Sequence, residues 1–121
     1  MPFIEVFTPR REPEMKKTMM EEVRDIVSDS FRVDKEFVTV LLDEFPGENM
    51  LAPEPLMTVI VHCFAGRTVE QKRELYARLN RRMKEIDPAV SRCQVTVEES
   101  PLENWGIGNG VCAADVMGRG G

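Results

Sequence analysis

Asp43-Glu44-Phe45-Pro46-Gly47-Glu48-Asn49-Met50 returns as Glu98-Glu99-Ser100-Pro101-Leu102-Glu103-Asn104-Trp105, and this recurrence decides the fold. The two octapeptides stand 55 residues apart and are identical at four positions. The same offset, without a gap, carries Lys17 onto Lys72, Val40 onto Val95 and Pro2 onto Met57. A period near this length marks one supersecondary unit used twice. The division falls in Leu51-Ala52-Pro53-Glu54-Pro55, whose prolines suit neither a central strand nor a helix interior. Repeat one is therefore read as residues 2–56 and repeat two as 57–111.

Within repeat one, Phe3 to Thr8 is rich in β-branched and aromatic residues, and Pro9-Arg10-Arg11-Glu12-Pro13 interrupts it. Met19, Met20, Val23, Ile26, Val27 and Phe31 follow at helical spacing, and Val38 to Leu42 reads as a second strand. Repeat two reads alike, with a strand over Thr58–Phe64, a helix over Glu70–Glu85 and a strand over Cys93–Val97. Thr68, with Gln71 three residues on, has the pattern of a capping box. A strand joined through a helix to a second strand is a βαβ crossover with parallel strands. The expected fold is α+β: two βαβ repeats form a four-stranded sheet with two helices on one face. If Val38, Val40, Leu42, Cys93, Val95 and Val97 meet the helices, alternation puts Thr39, Leu41, Gln94 and Thr96 on the other face, with Phe3, Phe7, Ile60 and Phe64 alongside. That face is too apolar to stay wet and too polar for a monomer core, so burial by self-association is expected.

A chain of 121 residues makes one domain, and no apolar run approaches the length of a membrane span. The start, Met1-Pro2-Phe3-Ile4-Glu5-Val6, lacks the features of a secretory signal, so a cytoplasmic location is expected, with no membrane partner. A net charge of −5 argues against nucleic acid as a partner. Cys63, Cys93 and Cys112 are odd in number and widely spaced, which points to reduced structural thiols and neither a disulfide framework nor a metal site. His62 lacks Cys/His companions at ligand spacing and reads as structural. Arg78, Arg81, Arg82 and Lys84 form a solvated basic face near a helix C-terminus. The segment 116–121 is glycine-rich and is expected to be a mobile tail.

Met1-Pro2 in repeat one, with Gly66-Arg67-Thr68 and Pro101-Leu102-Glu103-Asn104-Trp105-Gly106-Ile107-Gly108 in repeat two, resembles the tautomerase superfamily, whose type member is 4-oxalocrotonate tautomerase. The resemblance covers nearly the whole chain and is to fused two-repeat members, which are typically trimers. It implies an isomerase without a cofactor, acting on a small anionic carboxylate substrate as a homotrimer with pseudo-sixfold symmetry. Removal of Met1 would leave Pro2 as a secondary amine. An ordinary α-amino group titrates near 7.7 to 8.0, burial or a nearby cation lowers that further, and a base poised near neutral pH suits proton shuttling. Met57, at the Pro2 position of repeat two, is inside the chain and has no such amine, so one site per chain is expected.

By the same resemblance Arg67 binds the substrate carboxylate through paired donors, and Trp105 walls the amine off from water. Arg10 and Arg11, in the equivalent loop of repeat one, and Ile107 are further expected contacts at the pocket mouth. Departures from the type member narrow the expectation. Its second arginine, on the second strand, falls at Thr39 and Gln94, and Arg92 is turned outward by register. The leading expectation is thus a tautomerase for an enol or unsaturated 2-oxo acid. One alternative is a hydratase, dehalogenase or decarboxylase with Glu36 or Glu103 activating water. Another is a non-enzymatic trimer with a vestigial site.

Overall fold

The computed structural model describes residues 1–117. Its elements run β1 (Phe3–Pro9), α1 (Pro13–Phe31), β2 (Thr39–Phe45), β3 (Leu56–Phe64), α2 (Val69–Ile86), β4 (Arg92–Ser100), β5 (Gly106–Ile107), β6 (Val111–Cys112) and α3 (Ala113–Met117). The main sheet has the order β2-β1-β3-β4; β1 and β2 are parallel, β3 and β4 are parallel, and the central pair β1 and β3 is antiparallel. Both βαβ units therefore exist as expected. In the central ladder Glu5 faces Ile60, residues that the 55-residue offset superimposes, so the pseudo-twofold between the repeats passes through that pair.

Alternation sets what each strand buries. Ile4, Val6, Met57, Val59, Val61 and Cys63 point beneath the helices and are fully buried, as are Met19, Val23 and Val27 of α1 and Leu75, Leu79 and Met83 of α2. Burying a Val, Leu or Met side chain is worth about 1.5–3 kcal/mol, so this single layer supplies most of the driving force for docking the helices. The opposite face carries Phe3, Phe7, Ile60 and Phe64 half-buried, and Leu41 58% exposed. His62 lies on it too, with its ring stacked on Phe3 at 4.2 Å between centroids and Nε2 2.7 Å from Glu5 Oε2.

Local signals hold most boundaries. Pro13 opens α1, as suits a residue with no N–H to leave unpaired. Thr68 and Gln71 close both bonds of the capping box at α2. At its C-terminus α1 ends on Arg32 in the left-handed conformation, φ 55° and ψ 50°, with its N–H bonded to Ser28 O. Glycine is the usual residue there, and a side chain costs about 1 kcal/mol or more. The repeated octapeptide is the end of each second strand followed by a 3₁₀ turn, in which the backbone N–H groups of Asn49 and Asn104 donate to the carbonyls of Pro46 and Pro101 at 2.8 and 2.9 Å. Beyond it the repeats diverge. Leu51 is fully exposed, whereas Trp105 leads into the β5–β6 hairpin and α3. Val116 and Met117, expected to begin a tail, are helical in α3; positions 118–121 lie outside the described residues.

Candidate active site

Because β1 and β3 are antiparallel, the start of β1 lies beside the end of β3. Pro2 is buried there, its carbonyl accepting from Thr39 N–H at 3.2 Å. Gly66 turns the chain out of β3 with φ 117°, a conformation that glycine adopts without strain. Arg67 follows and lines a cavity of about 540 Å³ with Met1, Arg32, Val33, Asp34, Phe37, Phe64 and Met117.

Glu99 at the end of β4 positions this loop. Its Oε2 accepts from Gly66 N–H at 2.8 Å and Arg67 N–H at 3.2 Å, while Oε1 pairs with Lys72. The Lys72 ammonium foremost, then the two amides, hold the Glu99 carboxyl below its ordinary value. Arg67 Nη1 donates to Phe31 O at 3.3 Å, and the guanidinium lies 5.3 Å from the Phe31 ring centroid. Among the described residues no carboxylate pairs with Arg67, and its buried Nε has no partner. Buried charged donors without acceptors are uncommon and raise the energy of an empty site, so the arrangement favours an anion.

The terminal amine, carried by Met1, has its pKa lowered, first by burial and then by the Arg67 charge. Both effects favour the neutral, basic form. Cys63, near the same two groups, is pushed the other way by burial and stays a thiol. Trp105 does not itself line the cavity. It stands edge-on to Phe64 at 5.1 Å and to Phe3 at 6.2 Å, with Nε1 donating to Ser100 O at 3.4 Å, so it backs the aromatic wall.

Other expected contacts lie elsewhere in the chain. Arg10 and Arg11 follow the far end of β1, where seven strand residues put them roughly 20 Å from the amine. There Arg11 pairs with Asp87 at 2.7 Å, and both arginines border a separate cleft with Glu12 and Glu44. Within a single chain they therefore do not border the amine's cavity, because they and Pro2 stand at opposite ends of one strand. Ile107 is held in the β5–β6 ladder opposite Val111 and does not border the cavity. Glu36 and Glu103 do not border it either; its carboxylate is Asp34. Arg32, Asp34 and Phe37 had no signal in the sequence beyond lying in the α1–β2 connection.

Two family models, each described as a tautomerase enzyme, match residues 2–57 and 52–108, so the match divides where the repeat does. No curated protein matches. Among solved structures, a native fused 4-OT is 28% identical, with a TM-score of 0.86 over 94% of this chain and 98% of that one. A fused 4-OT asymmetric trimer is 26% identical, with a TM-score of 0.86 over 95% and 98%. A malonate semialdehyde decarboxylase inhibited by 3-bromopropiolate shares the fold at 20% identity, with a TM-score of 0.83 over 97% and 96%. With both halves matched in tandem and 94% of the chain superimposed on a fused relative, this protein belongs to the tautomerase superfamily as a member whose two βαβ repeats are fused in one polypeptide.

Proposed function

We propose that this protein is a tautomerase acting on a small enol or unsaturated 2-oxo acid, with the amine of Pro2 as base once Met1 is removed. The observation that carries the reading is the pairing of a terminal amine of lowered pKa with Arg67, which lacks a carboxylate partner, in one aromatic-walled cavity. Removing Met1 moves the amine one residue inward, to a buried position where desolvation favours the neutral form further. Arg67 holds the substrate carboxylate. The neutral amine takes the enol proton, the electron pair moves along the conjugated chain, and the ammonium returns the proton to carbon, so nothing is consumed. Phe64, backed by Trp105, keeps water from the amine.

Assembly belongs to the same reading. The face of Phe3, Leu41, Ile60 and Thr96 is suited to burial in a homotrimer, the state that the names of some related structures give. Ketonisation of 2-hydroxymuconate or phenylenolpyruvate, followed by ultraviolet absorbance, tests the chemistry. Intact mass should show loss of one Met, and Pro2→Ala should lower kcat/KM by about 10²-fold or more, the usual scale of general acid–base catalysis. Wild-type activity in Pro2→Ala would remove the amine from the mechanism.

One observation favours a second reading. Asp34 borders the cavity that holds Arg67, and a carboxylate there suits the activation of water in a hydratase or decarboxylase. Turnover of malonate semialdehyde or a 3-haloacrylate that is lost in Asp34→Asn would establish it; no turnover by wild type would leave tautomerisation alone.

A further inference from the structure

We infer that His62 is a positioning residue for the terminal amine: its ring, turned by Glu5, holds Phe3, the residue next to Pro2, and with it the aromatic wall of the cavity. The placement begins in the central ladder, where antiparallel pairing sets His62 of β3 directly opposite Phe3 of β1. Their rings lie 4.2 Å apart between centroids and 11° from parallel. His62 Nε2 stands 2.7 Å from Glu5 Oε2, so the carboxylate fixes the imidazole against which Phe3 rests. Phe3 in turn meets Trp105 edge-on at 6.2 Å, and Trp105 meets Phe64 edge-on at 5.1 Å. Phe64 borders the cavity. Four rings thus run in series from His62 to the cavity, and the second of them belongs to the residue that follows Pro2.

The two ends of the ladder differ in a way that a purely structural role does not require. The 55-residue offset superimposes Phe3 and His62 on Thr58 and Phe7, which face each other at the other end. That pair has one ring, and the counterpart of Trp105 there is Met50. The series of rings is therefore confined to the end that carries the chain terminus, whereas Met57, at the Pro2 position of the other end, has no amine to position. His62 and Phe3 also lie outside the core beneath the helices, and the His62 side chain is 27% exposed. Their contact bears more on the terminus than on closing the fold. Aromatic pairs have preferred geometries, so a ring fixed on one side limits how far its neighbour turns. Burial is the first cause that lowers the pKa of the amine at Met1, and the same effect is expected at Pro2; a closed wall then keeps the base neutral, and a loosened one admits water and raises the pKa.

This inference rests on the tautomerase reading for the reaction, but the amine's reactivity can be read without turnover, and the test uses both. His62→Gln removes the ring and keeps a hydrogen-bonding side chain; His62→Phe keeps a ring and does not titrate. On phenylenolpyruvate, kcat should fall about tenfold in His62→Gln with KM within about twofold, since Arg67 stays in place. The rising limb of its kcat/KM should move to higher pH. His62→Phe should restore most of the rate and of the limb, which separates the wall from any ionisation of His62 itself. In a Phe3→Leu background His62→Gln should cost less than about twofold, because its action passes through Phe3. Glu5→Ala leaves both rings, should give the same shift to a smaller extent, and serves if His62→Gln does not fold. Alkylation of the N-terminus by 3-bromopropiolate, followed by intact mass against pH, reads the amine alone and should show the same shift. A limb that stays in place in His62→Gln, an undiminished loss in the Phe3→Leu background, or no restoration by His62→Phe would overturn the assignment. Wild type inactive on the enol, with alkylation still shifted by His62→Gln and restored by His62→Phe, would overturn the tautomerase reading and keep His62 as the residue that positions the amine.

Discussion

Replacing Glu99 separates the geometry of the site from the stability of the fold. One carboxylate oxygen holds the Gly66 and Arg67 amides and the other holds Lys72, so Glu99→Ala removes three charge-assisted contacts at once. Each of the two amide bonds to the charged acceptor would be worth about 1.5–3 kcal/mol in a fully buried setting. Glu99 is only partly buried, with its side chain 23% exposed, and water replaces part of what is lost, which brings the expected total down to roughly 2–3 kcal/mol. Freed from this clamp, the loop no longer sets the Arg67 guanidinium beside the amine. A displacement of about 1 Å at a reacting group costs on the order of 10²-fold in rate. Glu99→Gln should behave differently, because its amide oxygen can still accept from both backbone N–H groups while only the Lys72 pairing is lost. We expect kcat/KM to fall about 10²-fold in the alanine variant and less than tenfold in the glutamine variant, measured on phenylenolpyruvate, with urea denaturation reporting stability. Glu44 is the control. It stands 55 residues earlier and accepts from Arg11 N–H at 2.9 Å and Lys16 at 2.9 Å, but serves the repeat whose terminus is the internal Met57. Glu44→Ala should lose stability and keep its rate. A Glu99→Ala enzyme within threefold of wild type, or an equal loss of rate in Glu44→Ala, would refute the reasoning.

Three further outcomes follow from the same geometry. Proton abstraction needs the neutral amine, so kcat/KM should rise with pH through the amine's pKa and level off above it. The Arg67 charge is one of the two causes that lower the pKa of the amine at Met1, and we expect it to act in the same way on the Pro2 amine; Arg67→Ala should then move the rising limb to higher pH, whereas Arg67→Lys, which keeps the charge, should move it less, and a limb that stays in place in Arg67→Ala would show that the charge does not reach the amine. Leu41→Asp puts a charge at a position 58% exposed in the single chain and expected to be buried on assembly, so the fold should hold while each interface weakens by roughly 3–5 kcal/mol; light scattering that finds wild type monomeric at micromolar concentration would contradict the trimer. Leu79→Ala, at a fully buried position between α2 and the sheet, should lower stability by about 2–5 kcal/mol in urea denaturation, and a loss below about 1 kcal/mol would mean that this core layer is looser than its burial indicates.

The parts legible in the sequence are those written over short stretches of chain. Alternation, helical spacing and the Thr68 capping box each act within a few residues, and each appears where expected. The 55-residue repeat then required two βαβ units, because a unit used once with an apolar sheet face has to be used the same way again. Arg67 could also be singled out, since it stands in a Gly-Arg-Thr loop that opens a helix. What the sequence does not contain is how the two repeats face each other. Parallel or antiparallel pairing of β1 with β3 would bury the same alternating residues, and no local signal chooses between them. Tertiary packing made that pair antiparallel and so brought Arg67 to the amine, whereas Arg10 and Arg11 stand at the other end of β1 in either arrangement. The same packing set the end of α1 against the Arg67 loop, so that Arg32 and Asp34 border the cavity. A residue's place in a site built from distant loops depends on contacts across dozens of residues, and those exist only once the core beneath the sheet has closed.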